Sequence, residues 1–269
     1  MSFTPIIPMA GYGGWTFLQR TMDSQKAAFD ASPELQRDED YFREKIGSIT
    51  SAEELVSDRR LLKVALGAFG LDDEINSRFF IRKVLEEGTE EKSALANRLS
   101  DKSYATMAEA FDFKVGATKE AGFADKILSR FSDRQFELAV GEQNNDMRLA
   151  LNAERELATL AGKSSSDTTK WYTVLGSSPL RNVFQTAFGL PSSFAAIDLD
   201  QQVRQMQDKM QSLLGTDSLS ALEDPEKMDT LIKRFLTMSQ INNSAAAQSP
   251  VLQLFQSNGS AGGILSLLA

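Results

Sequence analysis

Histidine and cysteine are both missing from the 269-residue chain. Without imidazole it has no side chain that titrates near neutral pH unaided and no common zinc ligand. Without thiol it can form no disulfide, no thiolate nucleophile and no iron–sulfur site. Carboxylate-only or serine–lysine chemistry stays open, but most familiar catalytic machinery is excluded. The expectation is a non-enzymatic protein, with no catalytic, cofactor-binding or metal-ligating residue and no cofactor. Positive charge is also short: 29 lysines and arginines against 37 acids give a net charge of −8. A surface of that sign repels polyphosphate and anionic lipid, so neither nucleic acid nor membrane insertion is expected, and other proteins are the expected partners. No apolar run approaches the roughly 18 residues of a membrane span. Residues 1–15 lack the basic start and apolar core of a cleavable signal. The expected location is the cytoplasm, or outside it by an export route that leaves no cleaved leader.

Charge is absent from both ends. None occurs before Arg20 or after Arg234. The C-terminal stretch nevertheless carries Val251, Leu252, Leu254, Phe255, Ile264, Leu265, Leu267 and Leu268. Uncharged and apolar, these eight are the candidate protein-interaction residues, for docking on a partner or on the chain's own body.

What is present is helix punctuation. Ser32 followed by Pro33 is an N-cap with proline at the first helical position, opening a helix toward Ile46. Ser51 and Glu54 form a capping box, and Gly70 is the stop of the helix it opens. Asp72 is placed as the cap of a helix carrying Ile75, Phe79 and Val84, and Thr89 as the start of the next. One long helix is expected over 133–161, with Gly141 its weak point. Gly162 and Ser164-Ser165-Ser166-Asp167 read as a linker. Trp171-Tyr172-Thr173-Val174-Leu175 is the best strand candidate, expected as an extended segment. Ser178-Pro179 and Asp224-Pro225 open further helices, and Leu199–Leu214 is amphipathic. The fold class is all-α: a multi-helix bundle of about ten helices. Its expected divisions are a flexible N-terminal segment and first helix (1–32), a main helical domain (33–163), a smaller helical region (164–244) and an uncharged tail (245–269).

Two internal similarities bear on that bundle. Leu61, Val64 and Ala68-Phe69-Gly70-Leu71 match Leu180, Val183 and Ala187-Phe188-Gly189-Leu190 at a constant offset of 119. An internally duplicated helical unit would produce this. The run 98–104 resembles 130–136 at an offset of 32, a spacing typical of stacked helix pairs.

Several motifs resolve into ordinary structure. Gly162-Lys163-Ser164 ends like a phosphate-binding loop, but Leu157 stands where that loop needs glycine, so a helix C-cap is expected. Glu142, Asp146 and Glu154 lie near one helix face, yet di-iron sites pair glutamate with histidine, which is absent; a solvated face is expected. Arg59, Arg60 and Lys63 would make a basic patch if Glu53, Glu54 and Asp58 did not lie within intrahelical reach. Met206, Met210, Met228 and Met238 are assigned to the core, with an adaptable contact surface as the alternative.

Long blocks carry a resemblance: Tyr41-Phe42-Arg43-Glu44-Lys45-Ile46, the run 59–71, the run 79–88, Asn145-Asp146-Met147-Arg148-Leu149-Ala150-Leu151 and the run 171–176. Together they resemble a bacterial domain-of-unknown-function family, numbered 1217, found mostly in alphaproteobacteria. The likeness covers roughly residues 15–240, and the family brings no functional residue with it. What it implies is context, since members often lie among flagellar genes. Flagellar proteins that pass the export apparatus typically lack cysteine, keep uncleaved N-termini and assemble through terminal helices. The resemblance therefore implies a flagellum-associated structural or assembly protein. The alternative is a cytoplasmic helical adaptor or export chaperone for a flagellar or other partner, and an enzyme working with carboxylates alone is the remaining class.

Overall fold

The computed structural model describes residues 3–247. Among these the chain is all-α, with thirteen α-helices, five short 3₁₀ turns and no strand. In order they are α1 (Gly11–Asp30), α2 (Pro33–Lys45), α3 (Ala52–Ser57), α4 (Arg59–Gly67), α5 (Arg78–Glu87), α6 (Leu95–Arg98), α7 (Ser103–Ala110), α8 (Phe123–Gln143), α9 (Asn145–Ala161), α10 (Asp167–Gly176), α11 (Ser178–Ala187), α12 (Leu199–Leu214) and α13 (Pro225–Ala247).

Side-chain caps explain several of the helix starts. Ser51 Oγ accepts the Glu54 amide, and the Glu54 carboxylate accepts the Thr50 amide. Asp58 ends α3 and caps α4, taking the Arg60 and Leu61 amides. Ser177 does the same between α10 and α11, receiving the Leu180 amide. Each of these positions satisfies donors a helix start would otherwise leave unpaired.

Four local expectations are corrected. The stretch 133–161 is two helices, because Asn144 leaves helical conformation and its side chain caps the Met147 amide. Residues 171–175 are helical: Ser166 caps α10, and Trp171, Val174 and Leu175 lie on its buried side. Asp72 opens only a 3₁₀ turn, and α5 begins after Ser77. Of the helix placed from Thr89, only Leu95–Arg98 forms. The 32-residue similarity has no structural counterpart either, since 98–104 crosses the α6–α7 turn while 130–136 lies inside α8.

The 119-residue similarity does. Gly70 and Gly189 both take positive φ, +71° and +65°. In both, the following leucine amide reaches back five residues, Leu71 to Leu66 and Leu190 to Gln185, at 3.0 and 2.9 Å. This is the Schellman ending, with glycine supplying the left-handed turn. A 3₁₀ turn follows each, Asp72–Asn76 and Ser192–Ala196. The series α1 to α5 and α8 to α12 run in the same order, and α4 packs on α2 and α3 as α11 packs on α9 and α10. The two series thus share one order and one packing pattern. Alanine at either glycine is expected to cost about 1–2 kcal/mol from the left-handed backbone alone. The cost is expected to be larger at Gly70, where a Cβ would come 2.3 Å from the Arg134 guanidinium. At Gly189 the nearest atom, Met238 Cε, would be 3.6 Å away. Urea unfolding of the two variants checks the ranking.

Two large hydrophobic cores result, beside a small cluster of Val84, Ala96 and Ala108. One gathers α2 to α5, α7 and the first half of α8 through Phe123, Ile127, Leu128 and Phe131. The other gathers α1 and α9 to α13 with the second half of α8, Phe136 and Val140. Helix α8 thus belongs to both. Ala161, before the division expected at residue 164, and Trp171, after it, both belong to the second core. Met206, Met210 and Met228 are buried in that core, as expected.

Candidate functional site

Helices α2, α4 and α8 leave two neighbouring cavities, of about 460 and 310 Å³, that share Asp38 and Lys63. The larger has Leu66 and Ile75 as its apolar floor and Arg59, Arg60, Asp38 and Asp72 on its walls. The smaller is lined by Phe29, Leu35, Phe131 and Leu138 together with Ser32, Glu34, Gln135 and Glu142, and by Phe3 and Thr4 from the N-terminal segment. Together they form a groove in which apolar side chains lie among charged ones, with Asp38 and Lys63 where the two meet and Glu34 and Glu142 on the smaller.

The rim charges are organised between helices. Lys63 Nζ lies 2.7 Å and Arg60 Nη2 3.5 Å from the carboxylate of Asp38, on α2. Arg60 also donates to the Arg37 carbonyl at 2.9 Å and stacks 4.0 Å above the Tyr41 ring. Arg59 bonds Asn76. The expected intrahelical pairing is therefore corrected, because the break at Asp58 takes Glu53 and Glu54 off this face. Glu53 instead pairs with Arg82 of α5, while Glu54 and Asp58 serve as caps. Burial works against the Asp58 charge, but the Tyr41 hydroxyl and the two capped amides outweigh it and hold its carboxyl below the usual range. At the far wall Gln135 donates to Asp72 at 3.0 Å.

Behind that wall α8 and α9 are joined by four charges. Arg155 bonds both oxygens of Glu137 at 2.6 and 3.0 Å. Arg155 and Arg134 each reach one oxygen of Glu156 at 2.7 Å. Glu137 is only 8% exposed. Burial opposes the Arg155 charge, yet its bond and attraction to Glu137 and Glu156 raise its pKa above the ordinary arginine value. Burial and the neighbouring Arg155 lower that of Arg134.

The acids Glu142, Asp146 and Glu154 are not brought together. Glu142 edges the smaller cavity, Asp146 accepts the Ser239 hydroxyl at 2.6 Å, and Glu154 accepts Gln19 at 3.0 Å. Burial raises the pKa of Glu154 despite that bond. Gly162 is the C-cap of α9, as its sequence context predicts. Among the described residues no three acids are grouped to hold a metal ion, and no helix is long and apolar enough to cross a membrane. The candidate interaction residues Val251, Leu252, Leu254, Phe255, Ile264, Leu265, Leu267 and Leu268 lie outside the described residues. Sequence reasoning missed the groove itself; its one signal was the Arg59-Arg60-Lys63 cluster.

Comparison with known proteins adds two findings. A family model described as "Protein of unknown function (DUF1217)" matches residues 68–228, more than half of the chain. A crystal structure of a protein from Agrobacterium tumefaciens is similar at 30% sequence identity with a TM-score of 0.73, covering 89% of this chain and 99% of that one. No curated protein matches the chain.

Proposed function

The chain belongs to the DUF1217 family, and from that premise we propose that it is a non-enzymatic, flagellum-associated structural or assembly protein that works by binding other proteins. The observation that carries the protein-binding part is the groove between α2, α4 and α8. It mixes apolar and charged side chains, its charges Asp38, Arg60 and Lys63 are held in mutual ion pairs, and the chain's own residues Phe3 and Thr4 lie at one end. A surface that already accommodates a polypeptide segment suits another, with its charged groups fixing register and its apolar side chains supplying affinity. The flagellar part is supported by the gene context that the family resemblance implies and by the absence of cysteine. Passage through the flagellar export route belongs to the same proposal.

Deleting the gene in a flagellated host and scoring swimming and filaments tests it. Impaired motility or filament assembly is expected, whereas normal swimming with normal filaments would overturn the proposal. Fractionation separates the variants of the reading: protein in purified basal bodies or outside the cell is expected for a structural component. Strictly cytosolic protein with impaired motility would replace that with the adaptor or export-chaperone reading.

A further inference from the structure

Asp38 and Asp72 bring two negative charges to the larger cavity, and Arg59, Arg60 and Lys63 bring three positive ones. A local excess of cations stands out on a chain of net charge −8. Both acids are already engaged. The Asp38 side chain is 14% exposed and meets Lys63 and Arg60, while Gln135 donates to Asp72 at 3.0 Å. The cations keep donors to spare. Beside Asp38 the Arg60 and Lys63 side chains each stay 48% exposed. Arg59 is exposed, donates to the Asn76 side-chain oxygen at 3.3 Å and forms no ion pair among the described residues. A guanidinium carries five donors and an ammonium three, so one shared carboxylate leaves most of them to water.

Along the groove the sign of the charge changes. To Lys63 and Asp38 the smaller cavity adds the acids Glu34 and Glu142. Phe3 and Thr4 of the chain itself also stand at that end. The segment that carries them is tied to the helices. The Ile6 amide donates to Gln25 Oε1 at 2.6 Å, Gln25 Nε2 donates to the Ile6 carbonyl at 3.1 Å, and Gln143 donates to the Pro5 carbonyl. These bonds correct the expectation of a flexible N-terminal segment. An anion approaching the groove is therefore repelled at the smaller cavity and attracted at the larger.

We propose that the larger cavity takes an acidic residue of a partner protein, an aspartate or glutamate beside a large aliphatic side chain, its carboxylate shared by Arg59, Arg60 and Lys63. The proposal rests on the reading of the groove as a protein-binding surface and names the chemistry of the segment that enters it. Three cations less two acids leave one positive charge, which a single carboxylate balances and a phosphate dianion would exceed. Leu66 and Ile75 line the same cavity. A bare ion would leave them wet, whereas a leucine next to the acid covers them. The Tyr41 ring beneath Arg60 and the Arg37 carbonyl hold that guanidinium in advance, so its binding sacrifices little side-chain freedom.

The test uses the full chain and three N-acetylated, C-amidated peptides, Leu-Glu-Leu, Leu-Gln-Leu and Leu-Lys-Leu, titrated while backbone amide shifts are followed by NMR. The glutamate peptide is expected to move the amides of residues 59–66 and 72–75. It is expected to bind about tenfold tighter than the glutamine peptide, the advantage of a charge-assisted over a neutral hydrogen bond. The lysine peptide is expected to bind weakest. Arg59→Gln breaks no ion pair, so the fold is kept, and the preference is expected to fall to about threefold as one of three cations is lost. Equal affinity for the glutamate and glutamine peptides overturns the acidic class and leaves the protein-binding reading standing. A preference unchanged in both Arg59→Gln and Lys63→Gln overturns the cavity as its source. Inorganic phosphate moving the same amides at lower concentration than the glutamate peptide overturns the peptide as the occupant. No shift at the groove with any of the three peptides overturns both this proposal and the groove as the binding surface.

Discussion

Glu137→Ala is expected to destabilise the fold by about 3–5 kcal/mol, the usual result of removing one member of a buried charge network. The loss comes less from the missing attraction than from what stays behind. Arg155 would keep a single partner, Glu156, which it already shares with Arg134. Two guanidiniums would then share one carboxylate behind the groove wall. The part of the Arg155 side chain that already meets water limits that loss without removing it. Urea unfolding with the slope held constant reads the effect directly. The pair Glu137→Leu with Arg155→Met should recover most of it, because apolar residues of similar volume leave no unpaired charge. An unchanged midpoint for Glu137→Ala would mean that the network contributes nothing to stability.

Trp171→Ala is expected to cost a similar amount, about 3–5 kcal/mol, through the cavity it opens. The indole is fully buried, meets the Phe184 ring edge-on at 5.3 Å between centroids, and donates Nε1–H to the Asp217 carbonyl at 3.0 Å. Removing it takes away packing between α10 and α11 and frees the 216–220 loop. Trp171→Phe keeps most of the packing and loses the hydrogen bond, so it should fall between wild type and alanine. Thermal or urea unfolding of the three proteins gives the order, and a Trp171→Ala midpoint equal to that of wild type would show that the site is not part of the cooperative core.

These two sites also mark where the sequence was legible and where it was not. Helix starts announced by serine or aspartate followed by proline or glutamate were legible, because a cap works through its own neighbours. Pro33, Ser51 and Pro225 all open helices where their local chemistry places them. The Phe-Gly-Leu endings were legible for the same reason, since a left-handed glycine and a returning leucine are separated by one bond. Trp171 misled because an aromatic and β-branched run has strand propensity, and the Ser166 cap together with burial in a helical core overrode it. Asn144 misled in the opposite sense, as a single capping amide inside a stretch otherwise rich in helix formers. The groove and the ion network depend on Asp38 meeting Lys63 and Glu137 meeting Arg155 across separate helices. No local pattern encodes those meetings; they follow from how α2 lies on α4 and α9 on α8.

Helix α8 lends its first half to one core and its second half to the other. A protein with two cores would ordinarily be free to melt in two steps, one half outlasting the other. Here, when either half loses order, its neighbour loses a wall, and the exposed flank of α8 becomes a cost borne by the half still folded. The shared helix is therefore expected to couple the two melting events, so that a lesion at Phe131 lowers the stability of the half that holds Val140.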